Sequence, residues 1–276
     1  MVRSVVPKSL RWSIKKALWR GVKNSLESAG YAVSLRNYYY SPLSSATDLK
    51  AKYSRWNRPS SLKGVEYDIK KMEERTSELL SKYLSEFQAL PPFEELKEVG
   101  YGQGFIAVDA LMLYMMIREI KPKRYIEVGS GLSTYYCSLA AKKNASEGDP
   151  LQIICIEPFP YEKLYSIPGI QVIAKEVQDV ELSFFQQLEP NDIFFIDSSH
   201  ILKIDSDVPF LYLEVLPTLK AGISYIFTTY LSPTTYLIRL RSGSLIRSGQ
   251  CYGMKLCLYK LSFALTTNLE LNFQRL

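Results

Sequence analysis

Five short runs rich in β-branched and aromatic residues, RYIEVG, LQIICIEP, GIQVIAKEV, NDIFFIDSS and GISYIF, alternate with helix-length segments between residues 124 and 227. Runs that are apolar on both faces and spaced this way predict a mostly parallel α/β sheet covered by helices on both sides. Such sheets open their ligand sites beyond the carboxyl ends of the strands, where the strand order reverses. Three of the runs end in polar residues at that edge: Glu127 to Gly131, Glu157-Pro158, and Asp197-Ser198-Ser199-His200. A crevice lined by these three tips is the expected site.

The other segments frame this sheet. Ile69, Met72, Leu79, Leu80, Tyr83 and Phe87 share one face of a helix predicted from Asp68 to Phe87 and ended by Pro91-Pro92. A second helix, over 106–120, is apolar nearly all round and is expected to lie buried against the sheet. Residues 3–23 carry Arg3, Lys8, Arg11, Lys15, Lys16, Arg20 and Lys23 with no acid, while Leu10, Ile14, Leu18 and Val22 recur at helical spacing beside Trp12 and Trp19. This basic amphipathic helix packs on the body of the protein or a partner, or lies on an anionic membrane surface. The stretches RNYYYSPLSSATDL and SRWNRPSSLKGVEYD read as irregular structure. The expected division is therefore 1–100 (basic helix, irregular segment and helical cap), 101–222 (α/β domain) and 223–276 (an atypical C-terminal segment that completes or replaces the last strands).

Composition narrows the class. Of 276 residues, 47% are hydrophobic and 22% charged, as in ordinary globular proteins. No apolar run approaches the length that crosses a bilayer, and the start MVRSVVPKSLRW lacks a secretory signal, so a cytoplasmic location is expected. Cys137, Cys155, Cys251 and Cys257 show no metal-ligand spacing and need no disulfide. The net charge of +6 comes largely from the tail, where Arg239, Arg241, Arg247, Lys255, Lys260 and Arg275 face the single acid Glu270. No aromatic interleaving or basic stripe accompanies it, so no nucleic-acid partner is expected.

The ligand question turns on YIEVGSGLSTYY, residues 125–136. A strand that stops at Gly129-Ser130-Gly131 before a helix brings backbone N–H groups to one spot. A dinucleotide fingerprint needs a third glycine where Thr134 stands, which weakens an NAD(P)-binding oxidoreductase reading. Glu127, two residues before the first glycine, would repel a diphosphate and welcome an ammonium group. S-adenosyl-L-methionine has an α-ammonium, a sulfonium and no phosphate.

Glu127-Val128-Gly129-Ser130-Gly131 with Ser133-Thr134, Ile156-Glu157-Pro158-Phe159-Pro160, Ile196-Asp197-Ser198-Ser199-His200 and LEVLPTLKAG resemble the class I S-adenosylmethionine-dependent methyltransferases, in particular a bacterial small-molecule methyltransferase-domain group. YYYSPL and YGQGFIAVDALMLYMMIREIKPKRYIEVGSG extend the resemblance from Tyr38 to Gly222. It implies a Rossmann-like fold with a helical N-terminal extension and methyl transfer to a small-molecule or sugar-like acceptor, at oxygen. Glu127, Gly129 and Gly131, with Ser130 and Ser133, would line the methionine part of the cofactor, the glycines because a Cβ would collide with it. Glu157 would accept hydrogen bonds from both ribose hydroxyls. Asp179 is a candidate for the adenine amino group or a solvated loop acid; Asp197 and Ser198 are further cofactor-binding candidates, and Asp197 with His200 would sit where acceptor and methyl group meet, as the catalytic pair.

His200 is the sole histidine and is either the base that takes the acceptor's proton or a loop-bracing side chain. A metal-assisted variant of this chemistry would use Asp197 as its first oxygen ligand, but nothing after GISYIF supplies the others, so no metal is expected. Asp205 and Asp207 are expected on the solvated face of the next helix. After Gly222 the resemblance stops. One allowed codon set for Ser224 to Thr234, read two nucleotides later, spells the His-Asp-containing motif of the resembled group; codon degeneracy permits a frameshifted C-terminus without forcing it, and a catalytically impaired, cofactor-binding remnant stands as an alternative to an active methyltransferase.

Overall fold

The computed structural model describes residues 8–31, 46–56, 68–101 and 105–228. Contacts divide the chain into two units, Met1–Arg58 and Pro59–Leu276. In the first, helix α1 spans Lys8–Ser28, α2 Ala46–Ala51 and α3 Tyr53–Trp56. Ile14, Leu18, Val22 and Leu26 fall on one side of α1, and all four are exposed.

The second unit holds the sheet. Its strands β1 (Arg124–Val128), β2 (Gln152–Ile156), β3 (Ile170–Ile173), β4 (Ile193–Ile196) and β5 (Ser224–Phe227) are all parallel, in the order β3-β2-β1-β4-β5. The expected parallel α/β architecture is therefore present, and the five predicted runs supply its five strands. The order reverses between β1 and β4, so the crevice opens past Val128 and Ile196.

Helices cover both faces because alternate side chains of each strand face opposite layers. Tyr125, Ile153, Cys155 and Phe195 pack with Leu113, Tyr114, Ile117, Tyr136 and Ala140 of α6 (Ala107–Ile120) and α7 (Leu132–Ser146). Ile126, Ile154, Phe194 and Ile196 pack on the other side with Phe185 of α8 (Leu182–Phe185) and with Leu211 and Val215. Those last two lie on an irregular helical segment that starts as α9 (Asp207–Pro209), widens to a π-helix over Phe210–Val215 and tightens to a 3-10 turn over Leu216–Thr218.

Helix α4 (Ile69–Gln88) begins where Asp68 accepts the N–H groups of Lys70 and Lys71, at 3.0 and 3.2 Å. Its apolar Leu79 meets Met112 and Met115 of α6, so α6 is buried as its composition predicts. Charges then lock the pair. Glu119 accepts from Arg75 at 2.7 Å, Lys82 at 2.9 Å and Tyr83 at 2.7 Å. Arg118, buried, reaches Glu86 of α4 at 2.6 Å and Glu147, just past α7, at 2.6 Å, and it also donates to Asn144. A short helix, α5 (Phe93–Glu98), places Phe93 on Tyr136, with ring centroids 6.1 Å apart.

Ser224–Phe227 shows that the first residues after Gly222 complete a fifth strand in register with β4, and the Thr228 N–H continues the ladder to Ile196 O at 3.2 Å. Residues 229–276, with the expected frameshifted segment, lie outside the described residues. Among the described residues no helix is long and apolar enough to cross a membrane.

Candidate functional site

Gly129 leaves β1 with φ of +82°, a conformation that disfavours a side chain, and its N–H donates to Ile156 O at 3.0 Å. A Cβ on Gly129 would drive into the Asp197 carbonyl, and one on Gly131 into the Tyr101 carbonyl. Both glycines are thus required by the close approach of the chain to itself. The sequence reading assigned them to contact with a ligand; the structure supplies a prior reason inside the fold. The same approach brings the β1 and β4 tips together, since the Asp197 N–H donates to Val128 O at 2.8 Å.

The loop's own N–H groups already have acceptors. Ser130 N–H donates to Glu157 Oε2 at 3.3 Å, and Phe159 N–H donates to Glu157 Oε1 at 2.9 Å. Gly131 N–H donates to Thr134 Oγ1 at 3.1 Å. Glu157, at the β2 tip, is thereby held across the glycine loop with further lone pairs to offer. Ser130 Oγ is buried and meets no partner among the described residues.

Glu127 behaves differently from its expected role. It is fully buried, and both carboxylate oxygens are occupied from the first turn of α7, one by Ser133 Oγ and the other by Thr134 Oγ1 at 2.5 Å. Cys155 Sγ lies 3.7 Å away. Burial is the dominant influence, and it pushes the acid up to about 8 against the opposing pull of the two hydroxyls, with Asp197 adding to the rise. Glu127 braces β1 to α7, so the repulsion of phosphate assigned to it in the sequence does not operate from this position. Thr134, in the place of a third glycine, closes the same chain of donors: it accepts from Gly131 and donates to Glu127.

Across the crevice, His200 Nε2 lies 3.2 Å from Asp197 Oδ1, and Thr228 Oγ1 donates to the same oxygen. His200 has φ of +60° and is exposed. The loop that carries it is fastened by Asp207, whose carboxylate accepts from Ser199 N at 2.5 Å, Ser199 Oγ at 2.6 Å and Val208 N at 2.9 Å. Partial burial works against the charged form of Asp207, but the Ser199 and Val208 donors outweigh it and hold the carboxyl below its usual range. The expectation of a solvated Asp207 is therefore corrected: it is the strut of the β4 tip, identifiable in the sequence only as an acid eight residues after Ser199. Asp205 sits in the preceding turn with φ of +58°. Ser198 turns its hydroxyl out of solvent. Asp179 ends a 3-10 turn over Val177–Asp179, exposed, and among the described residues no hydrogen bond joins it to the other candidates.

Glu127, Gly129, Ser130, Gly131, Ser133, Glu157, Asp197 and His200 are thus linked directly or through one another at the carboxyl edge. The edge can offer hydroxyl-binding carboxylate oxygens, the buried hydroxyls of Ser130 and Ser198, which meet no partner among the described residues, and an imidazole oriented by an acid.

No protein-family model matches the chain. A putative protein-L-isoaspartate O-methyltransferase from Plasmodium falciparum, in a crystal structure with S-adenosyl-L-homocysteine, shares 16% identity at a TM-score of 0.28; the match covers 45% of this chain and 61% of that one. An uncharacterized protein of Archaeoglobus fulgidus is 31% identical, over 56% of this chain and 74% of its own length. At that identity and coverage, the chain belongs to the same family as the Archaeoglobus fulgidus protein.

Proposed function

We propose that the chain uses S-adenosyl-L-methionine to methylate a hydroxyl of a small, sugar-like acceptor in the crevice between β1 and β4. The observation that carries this reading is the state of the glycine loop. The N–H groups of Ser130 and Gly131, which a diphosphate would need, are already taken by Glu157 and Thr134. A dinucleotide would have to displace a carboxylate with a like-charged group. A nucleoside that brings ribose hydroxyls in place of a diphosphate instead meets an acceptor it can use, the Glu157 carboxylate.

In this reading the remaining Glu157 lone pairs take the ribose hydroxyls, and Ser130 Oγ gains the partner it lacks. The cofactor supplies a methyl group already activated on sulfur. The protein's task is to hold the acceptor oxygen in line and remove its proton. With Nε2–H turned to Asp197 Oδ1 at 3.2 Å, Nδ1 of His200 is the ring nitrogen that receives that proton. Asp197 then stabilises the resulting imidazolium and keeps the ring oriented, helped by Thr228.

The test is transfer of labelled methyl groups to a panel of hydroxyl-bearing small molecules. His200→Gln is expected to lower turnover by about a hundredfold while S-adenosyl-L-homocysteine binds as before. Turnover undiminished in that variant would remove His200 from the reaction. Cofactor binding without transfer to any acceptor would make the chain a binding remnant.

A further inference from the structure

Helix α1 has a face that the proposed chemistry does not use. Ile14, Leu18, Val22 and Leu26 line a shallow groove along it with Gly21 and Ser25 between them, and they are 48%, 66%, 51% and 36% exposed. Trp19, 42% exposed, stands at the border of this stripe, and Lys16, Arg20 and Lys23 lie on the opposite side by helical spacing. No acid occurs from Arg3 to Lys23; the first, Glu27, pairs with Lys23 at 3.3 Å.

We propose that α1 docks this unit on an anionic phospholipid surface. The stripe enters the headgroup boundary, Trp19 sits at its level, and the basic face answers the lipid charge. Three features select lipid over a protein groove. At 21 residues the helix is about 30 Å long, yet it is too charged to span a bilayer. The centre of its apolar side is aliphatic and interrupted by Gly21 and Ser25, and its large aromatic, Trp19, stands only at the border, where an interfacial anchor sits. Its bases outnumber its acids along the whole length, which suits a diffuse field better than a few fixed partners.

The experiment is cosedimentation of the full chain with phosphatidylcholine vesicles and with the same vesicles containing phosphatidylglycerol. Binding is expected with the anionic vesicles only. It should fall roughly fivefold for each base removed, and so about twenty-fivefold in Lys16→Gln/Arg20→Gln, and be lost in Leu18→Asp/Val22→Asp. In a chain carrying Trp12→Phe and Trp56→Phe, Trp19 fluorescence should shift to the blue on anionic vesicles. Equal partition to both vesicle types, no partition to either, or undiminished binding by the Leu18/Val22 variant with circular dichroism unchanged would overturn the proposal. A stable complex with a protein in place of vesicle binding would overturn it too.

Discussion

Two buried ionisable groups meet opposite ends of α7 and do opposite things. Arg118, between α4, α6 and α7, is surrounded by matched partners: Glu86 and Glu147 at 2.6 Å each, Asn144, and the Tyr83 ring with its centroid 5.6 Å away. Tyr114 donates to the same Glu86 at 2.6 Å. Glu127, at the start of α7, is equally buried but forms no ion pair among the described residues, having only the hydroxyls of Ser133 and Thr134. The first arrangement neutralises its charge and fixes three helices. The second leaves an acid whose ionisation is opposed by its surroundings, beside the glycine loop.

The largest effect expected on breaking this contrast is at Arg118. Arg118→Met strips Glu86 of its charged partner and Asn144 of its donor, and should cost about 3 kcal/mol or more in urea unfolding, with α4 exchanging its amides sooner than the sheet does.

Next comes Glu157→Ala, expected to weaken S-adenosyl-L-homocysteine by about thirtyfold or more through loss of a charged acceptor. Unfolding stability should fall by only about 1 kcal/mol, from the Ser130 and Phe159 N–H groups that lose their acceptor at the edge of the fold.

Glu127→Gln sharpens the comparison through pH. The carboxyl is raised in the folded state from 4.5 to about 8, so its contribution to stability is full below the unfolded value and is lost as pH rises through the folded one. Wild type should lose up to about 1.4 kcal/mol per pH unit relative to Glu127→Gln across that window, read from urea midpoints at several pH values. A parallel pair of curves would mean that Glu127 does not titrate in this range.

The smallest change is Thr134→Val, which leaves Gly131 N–H without its acceptor and Glu127 with one donor, at about 1 kcal/mol.

Much of the frame could be read from the sequence because its signals are local. Strands that are apolar on both faces announce themselves, and all five appear where RYIEVG, LQIICIEP, GIQVIAKEV, NDIFFIDSS and GISYIF stand. The same holds for α4, whose start Asp68 caps, and for α6, apolar on every side. The tips carrying Glu157, Asp197 and His200 were legible for the same reason, since topology sends the ends of parallel strands to one edge.

The direction in which each side chain turns there was not legible. Glu127 shares a strand face with Tyr125, toward α7, and period-two alternation together with hydroxyls at 133 and 134 is the signal that could have shown it. The reason for Gly129 and Gly131 lies in the carbonyls of Asp197 and Tyr101, distant in sequence, and no local pattern encodes that approach. Arg118 is the lone base of an otherwise apolar helix, but its partners are remote in sequence, Glu86 32 positions before it and Glu147 29 after it.

The N–H groups of Ser130 and Gly131 in the glycine loop are held by Glu157 and Thr134 and so do not await a diphosphate. Calorimetric titration of the full chain with S-adenosyl-L-homocysteine and, separately, with NAD measures this without any assumption about the acceptor. Saturable heat with the sulfur nucleoside and none with NAD is the predicted result. Binding of NAD with no heat from S-adenosyl-L-homocysteine would contradict it.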